Sequence, residues 1–331
     1  MYTMSKVSVR CGLGFASDGA AALLVTLCAL LPWQVQAQPR PDRPMASQPA
    51  DIAVAIDAHR VDTFVLPSPW RATGFRIQVW RPLGPPPAGG YPVLYLLDGN
   101  AAFDSLRQAR AELGRARGAP VILVGVGYDV DDRYDVQARS MDYTPPSSGA
   151  DKPLGVPGNP TAPGRAQPGG GADRMLAWMD GTLRPLIAQR YPVAADRQGI
   201  YGHSFGALLV LHALFTDPAR YQTYVAASPS TWWNDRAIVK EARNVAVGAQ
   251  ATGRPARLFV LAGGKELDGV MAEDSPEAIA RMVNAAGGAG AGVRASYAHQ
   301  PGKTHGEMLP IGLAHAVRWM AAEHSAPGSA E

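Results

Sequence analysis

A serine framed by glycines, Gly202-His203-Ser204-Phe205-Gly206, is the most chemically suggestive group in this sequence. A hydroxyl is a weak nucleophile unless a base takes its proton. Acyl transfer is the chemistry this arrangement serves, with a histidine as base and a carboxylate to orient the imidazole. Among seven histidines, His305 stands in Lys303-Thr304-His305-Gly306-Glu307, a glycine-bearing loop between the last expected strand and the last expected helix. His299, at the strand end itself, is the alternative base. Two carboxylates follow an apolar strand in Gly263-Gly264-Lys265-Glu266-Leu267-Asp268. Glu266 has the shorter reach and ranks first as the acid, with Asp268 second.

An oxyanion forming at the attacked carbonyl needs amide donors aimed at it. The N–H of Phe205, just after the serine, is one source. The other is Asp98-Gly99-Asn100, where Gly99 would let the backbone approach a substrate, although Asp-Gly is also a common turn pair. Ser228-Pro229-Ser230-Thr231-Trp232-Trp233 follows another expected strand. Trp232 and Trp233 there suit either an aromatic wall for a planar acyl or aryl group, or core packing. No H-E-x-x-H or C-x-x-C spacing occurs, and Gly290-x-Gly292-x-x-Ala295 precedes a strand instead of following one. We therefore expect no metal, no cofactor and no dinucleotide. A net charge of only +3, evenly spread, argues against a nucleic-acid partner.

Placing these groups requires a scaffold, and the pattern supplies one. Phe75, Ile77 and Val79 alternate with polar or bulky neighbours, the period of a half-buried strand. The runs 93–97 and 121–126 are apolar throughout, as strands covered on both faces are. A helical pattern lies between them, from Asp104 to Arg117. Asp173 reads as the N-cap of a helix reaching Arg190. Further strands are expected near 199–201, 223–227, 257–262 and 293–298, with helices from Ser204, after Asn234 and from Ser275. In the final helix Leu313, Ala314, Val317, Met320 and Ala321 share one face. Strand and helix alternate, which predicts an α/β fold: a mostly parallel sheet with helices on both faces. With no internal repeat and no second composition regime, one domain over 51–324 is expected.

The ends and one internal stretch read differently. Lys6 and Arg10, the apolar run Ala20–Leu31 and Val35-Gln36-Ala37 form the pattern of an export signal over 1–37, cleaved before Gln38. The run of about twelve residues is shorter than the roughly 20 that a spanning helix needs, so no stable membrane anchor is expected after cleavage. Both cysteines, Cys11 and Cys28, fall inside it. The processed chain would have no thiol for catalysis, disulfides or metal, and its net charge would drop from +3 to +2. This places the product in the periplasm or outside the cell. Residues 38–50 form a flexible lead-in, and 325–331 a tail. Of the chain's 36 glycines and 29 prolines, seven of each crowd into 145–172, an insertion without hydrophobic periodicity.

Taken together, 92–100 (PVLYLLDGN), 202–206 (GHSFG), 226–233 (AASPSTWW) and 303–307 (KTHGE) resemble the putative-esterase family of α/β-hydrolases, the esterase D-like proteins. The order Ser204…Glu266…His305 is the nucleophile–acid–base order of that superfamily. Within it the sequence is most similar to the periplasmic siderophore trilactone esterases acting on enterobactin, salmochelin and bacillibactin, a likeness that 139–145 (RSMDYTP) shares. The resemblance implies an exported, cofactor-free serine ester hydrolase whose partner is a small-molecule ester, a ferric siderophore. It further implies a nucleophile at Ser204, a base at His305 and an oxyanion loop at Gly99 and Asn100, and it includes members that work with a Ser–His dyad. A ferric triscatecholate is anionic, so Arg107, Arg133, Arg139 or Arg236 would help hold it. A feruloyl-type, thioester or short-chain esterase, and a silent binding module on a hydrolase fold, are the alternatives.

Overall fold

Apolar runs that alternation cannot explain become the central strands of one eight-stranded sheet. The computed structural model describes residues 61–82, 85–106, 121–146, 169–244, 256–267, 270–287 and 292–322. The expected export signal, lead-in and tail, most of the insertion, Arg107 and Asp268 lie outside the described residues. All described residues belong to one unit, Val35–Glu331.

The strands are β1 (Val61–Leu66), β2 (Phe75–Trp80), β3 (Tyr91–Leu97), β4 (Ile122–Val126), β5 (Val193–His203), β6 (Thr223–Ala227), β7 (Ala256–Gly263) and β8 (Val293–Gln300). Their order across the sheet is β1-β2-β4-β3-β5-β6-β7-β8. β1 and β2 pair antiparallel, as do β2 and β4, and the other neighbours run parallel. Seven strands therefore run the same way, and only β2 is reversed. A parallel neighbour can be reached only by a crossover, and helices make the crossovers. The expected mostly parallel sheet is present. β1 was not anticipated, because four apolar residues in six (Val61, Phe64, Val65, Leu66) show no clean period.

Alternate residues of the buried strands feed two cores. Val93, Tyr95 and Leu97 of β3 face one side with Val124 and Val126. That side is covered by α2 (Val136–Tyr143), α3 (Ala172–Trp178), α4 (Arg184–Arg190), α5 (Phe205–Thr216), α6 (Trp233–Asn244) and α7 (Pro276–Gly287). Leu94 and Leu96 face the other side, covered by α1 (Gly99–Asp104) and α8 (Met308–Ala322). The expected face of α8 is the buried one: Leu313, Val317 and Met320 are wholly inaccessible.

Three local features were not expected. A short helix, α1, spans Gly99–Asp104; the helix expected from Asp104 to Arg117 lies beyond residue 106 outside the described residues. The helix before β5 starts at Ala172 behind Gly171, so Asp173 sits in its first turn and is not the cap. That helix also opens into a π turn at Met179–Leu183 before α4, because Pro185 has no N–H to give the preceding turn.

Candidate active site

β5 ends at His203 and α5 begins at Phe205, so Ser204 alone makes the turn between them. It does so at φ 61°, ψ −116°, a backbone conformation that residues with a Cβ rarely adopt. A side chain at Gly202 would collide with the Gly206 carbonyl, which is why glycine stands there. At Gly206 a Cβ would be 3.4 Å from Leu97 Cβ and 3.6 Å from Asp98 Oδ2, so the space there is only ordinarily tight. The Ser204 N–H donates to the Ala227 carbonyl at 3.0 Å, holding the turn against the end of β6. Its Oγ lies 3.2 Å from Ser230 Oγ.

His305 and Glu266 meet across two neighbouring strand ends. Glu266 closes a short turn, Gly264–Glu266, directly after β7. His305 lies on the loop after β8. His305 Nδ1 donates to Glu266 Oε2 at 2.6 Å. A carboxylate can only accept, so that bond puts the proton on Nδ1 and leaves Nε2 with its lone pair. Nε2 is buried and has no hydrogen-bond partner among the described residues. The other Glu266 oxygen accepts from Ser228 Oγ at 2.6 Å and from the Gly263 N–H. These bonds fix the orientation of the carboxylate.

The loop carrying His305 is stapled from several sides. Lys265 N donates to the Lys303 carbonyl at 3.0 Å. Glu307 accepts from the Thr304 N–H at 2.9 Å and hydroxyl at 2.8 Å, and from Lys303 Nζ at 3.2 Å. The Thr304 backbone bond comes first among the interactions that push its carboxyl down to about 2. His203 Nε2 donates to the His305 carbonyl at 2.8 Å.

The expected oxyanion loop follows β3 on the same edge. Asp98 turns the chain at φ 51° into α1. A Cβ at Gly99 would lie 2.7 Å from the backbone of Gly125, Val126 and Gly127, so packing against the end of β4 requires glycine there. The Asn100 amide donates to the carbonyls of Tyr128, Val130 and Asp132 at 3.1, 3.2 and 3.0 Å, and its oxygen accepts from the Tyr128 N–H. Its side chain thus organises the loop after β4.

Arg139 is corrected. Expected at a mouth, it is 1% exposed. It makes two 2.8 Å bonds to the Asp98 carboxylate and lies over the rings of Tyr134, Tyr143 and Phe205. A guanidinium so enclosed is a strut between α2 and the turn after β3, not a grip for an anionic ligand. Of the other candidate arginines, the two among the described residues are also engaged. Arg133 pairs with Asp104 at 3.3 Å and Arg236 with Asp274 at 2.7 Å. The two tryptophans divide: Trp233 is buried in the core, whereas half-buried Trp232 has its ring 6.1 Å from that of Phe205.

Three side chains in this constellation carried no role in the sequence reading: Ser228 on Glu266, Ser230 against Ser204, and His203 on His305. The serines belong to the quoted 226–233 stretch, and the signal that could have found them is polar residues at the end of a strand next to β5. No group of three or more His, Cys, Asp or Glu suited to a metal occurs among the described residues. Among them, too, no helix is long and apolar enough to cross a membrane.

A sheet of this order, with a serine on the strand-to-helix turn after β5, defines an α/β-hydrolase fold. The Esterase family model, "Putative esterase", matches residues 157–287. The ferri-bacillibactin esterase BesA of Bacillus subtilis is 32% identical over 252 residues, covering 74% of this chain and 84% of that protein. The siderophore triacetylfusarinine C esterase of Aspergillus fumigatus is 39% identical over 160 residues, 47% of this chain and 49% of its own length. Among solved structures, the siderophore hydrolase EstA of Aspergillus nidulans superposes with a TM-score of 0.67 at 26% identity, over 86% of this chain and all of that one. The chain belongs to the esterase family and is an esterase.

Proposed function

We propose that this esterase hydrolyses siderophore esters through an acyl-enzyme on Ser204, with His305 as base and Glu266 as the acid that orients it. The observation that carries the mechanism is the 2.6 Å bond from His305 Nδ1 to Glu266, which leaves Nε2 as the lone-pair nitrogen of a buried imidazole. Ser204 Oγ adds to the ester carbonyl as Nε2 takes its proton. The C–O bond to the alcohol then breaks, and the alcohol leaves with that proton. Water, deprotonated in turn by Nε2, releases the acid and restores the serine. Backbone amides of Phe205 and of the turn at Gly99 and Asn100 are assigned to the oxyanion. Trp232, half-buried beside Phe205, is assigned to the acyl or aryl group.

The relatives named above support the substrate class, a ferri-bacillibactin esterase matching 252 residues at 32% identity. Export is part of the same proposal and is supported by the pattern in 1–37. The test compares wild type with Ser204→Ala on ferric and iron-free trilactone siderophores and on simple aryl esters. Turnover falls at least about 10³-fold in the variant, and labelling by a fluorophosphonate disappears. An unchanged rate overturns the nucleophile. Turnover of aryl esters without trilactone cleavage overturns the substrate class and leaves the chemistry in place.

A further inference from the structure

His203, the first of the two x positions of the G-x-S-x-G stretch, is unused by the mechanism above, yet it touches the backbone of His305. It is the last residue of β5, directly before Ser204, and only 6% of it is exposed. Its Nε2 lies 2.8 Å from the His305 carbonyl oxygen. A carbonyl only accepts, so the proton sits on Nε2. The two imidazoles are 4.7 Å apart, inclined at 47°. On its other side the His203 carbonyl accepts from Arg139 Nη2 at 3.4 Å. The charged or titratable groups facing it are thus His305 from the loop after β8 and Arg139 from α2, the latter neutralised by Asp98. Burial first, then the neighbouring His305 and Arg139, hold its pKa well below 6.5, so it is neutral.

The same His305 carbonyl also accepts from the Met308 N–H at 3.2 Å, at the start of α8. Gly302 and Gly306 bracket His305, and a Cβ at either would meet nothing within 4 Å. Packing does not clamp the loop at those two points. The bonds of Glu307 close the loop on itself, and Lys265 ties its beginning to the turn after β7. His203 ties His305 itself to the strand that presents Ser204.

We propose that His203 is a positioning residue for the base: its Nε2–H on the His305 carbonyl sets the spacing between the strand that ends in Ser204 and the loop that carries His305. This rests on the assignment of Ser204 and His305 made above. Because His203 is neutral, it adds no second positive charge beside the imidazolium that forms during turnover.

Three variants separate this role from packing. His203→Gln keeps an N–H at the Nε2 position. His203→Asn keeps an amide that stops short of the carbonyl, and His203→Phe keeps a ring without a donor. Each is compared with wild type and Ser204→Ala for hydrolysis of a p-nitrophenyl ester, rate of fluorophosphonate labelling and melting temperature. A spacing error of about 1 Å at such a site is worth up to roughly 10²-fold in rate. Asn and Phe variants should therefore lose about 10- to 100-fold in kcat and in labelling rate with KM nearly unchanged, and Gln should recover to within about threefold of wild type. If the Asn and Phe variants run at the wild-type rate while Ser204→Ala is silent, the tether is wrong and the serine assignment stands. Equal loss in Gln and Asn also overturns it, since the donor position would not matter. If Ser204→Ala still labels and turns over, the serine assignment fails and takes the tether with it.

Discussion

Glu266 gives each of its oxygens a separate task. One receives the His305 Nδ1–H, and the other is saturated by Ser228 and the Gly263 amide. A carboxamide in its place would have to turn an NH₂ toward one of those donors. Glu266→Gln should therefore lower kcat roughly 10²- to 10⁴-fold, as loss of tautomer control does in serine triads. Asp268→Asn should stay within about twofold of wild type. A steady-state comparison on one aryl ester checks both, and the opposite ranking would move the acid to Asp268. That Ser204, Glu266 and His305 stand at strand ends was legible because each lies in a short local signature next to a strand or helix signal. The roles of Ser228, Ser230 and His203 were not, since they depend on β5, β6 and β7 being neighbours, which no local pattern states. Arg139 misled for a related reason: a guanidinium in the sequence looks the same whether it meets solvent or a buried Asp98.

Helices α3, α5 and α6 are joined by one imidazole. His212 of α5 bonds Glu241 of α6 through Nδ1 and Asp173 of α3 through Nε2, both at 2.8 Å. Burial disfavours its charge, but the bonds to Glu241 and Asp173 outweigh it and raise its pKa above 6.5. The folded state then holds this proton more tightly than the unfolded chain. Its contribution is full below pH 6.5 and is lost as pH climbs through the raised value. His203 has the opposite sign: its contribution is present above 6.5 and is lost as pH falls. Urea midpoints of wild type and His212→Gln from pH 5.5 to 9 should differ most at the acid end and converge toward the alkaline end; a constant gap refutes the clamp. At this scale the sequence was most readable where periodicity and burial coincide, as in α8. It was least readable where polar contacts decide, as at Asp173, which reads as a cap and serves as a partner for His212.

For the whole molecule, the alternation of strand and helix was enough to give the α/β sheet, because parallel strands can be joined in few other ways. The antiparallel edge β1 escaped, since an edge strand needs only half of its residues to be apolar. The first 37 residues carry a prediction of their own. Expressed with its full N-terminus in a Gram-negative host, the chain should be recovered from the periplasm with Gln38 as its first residue, as intact-mass measurement would read. Recovery of the uncut chain from the cytosol would refute export.

Sheet order also has a consequence for how activity arises during synthesis. Ser204 follows the central strand β5, Glu266 follows β7, and His305 follows β8, the outermost and last strand to be made. A nascent chain can complete β3, β4, β5 and β6 and present its serine with no base in reach. With Ser204 and His305 in the roles proposed above, hydrolytic competence arrives only when the final crossover docks, and a partly made or stalled copy is inert.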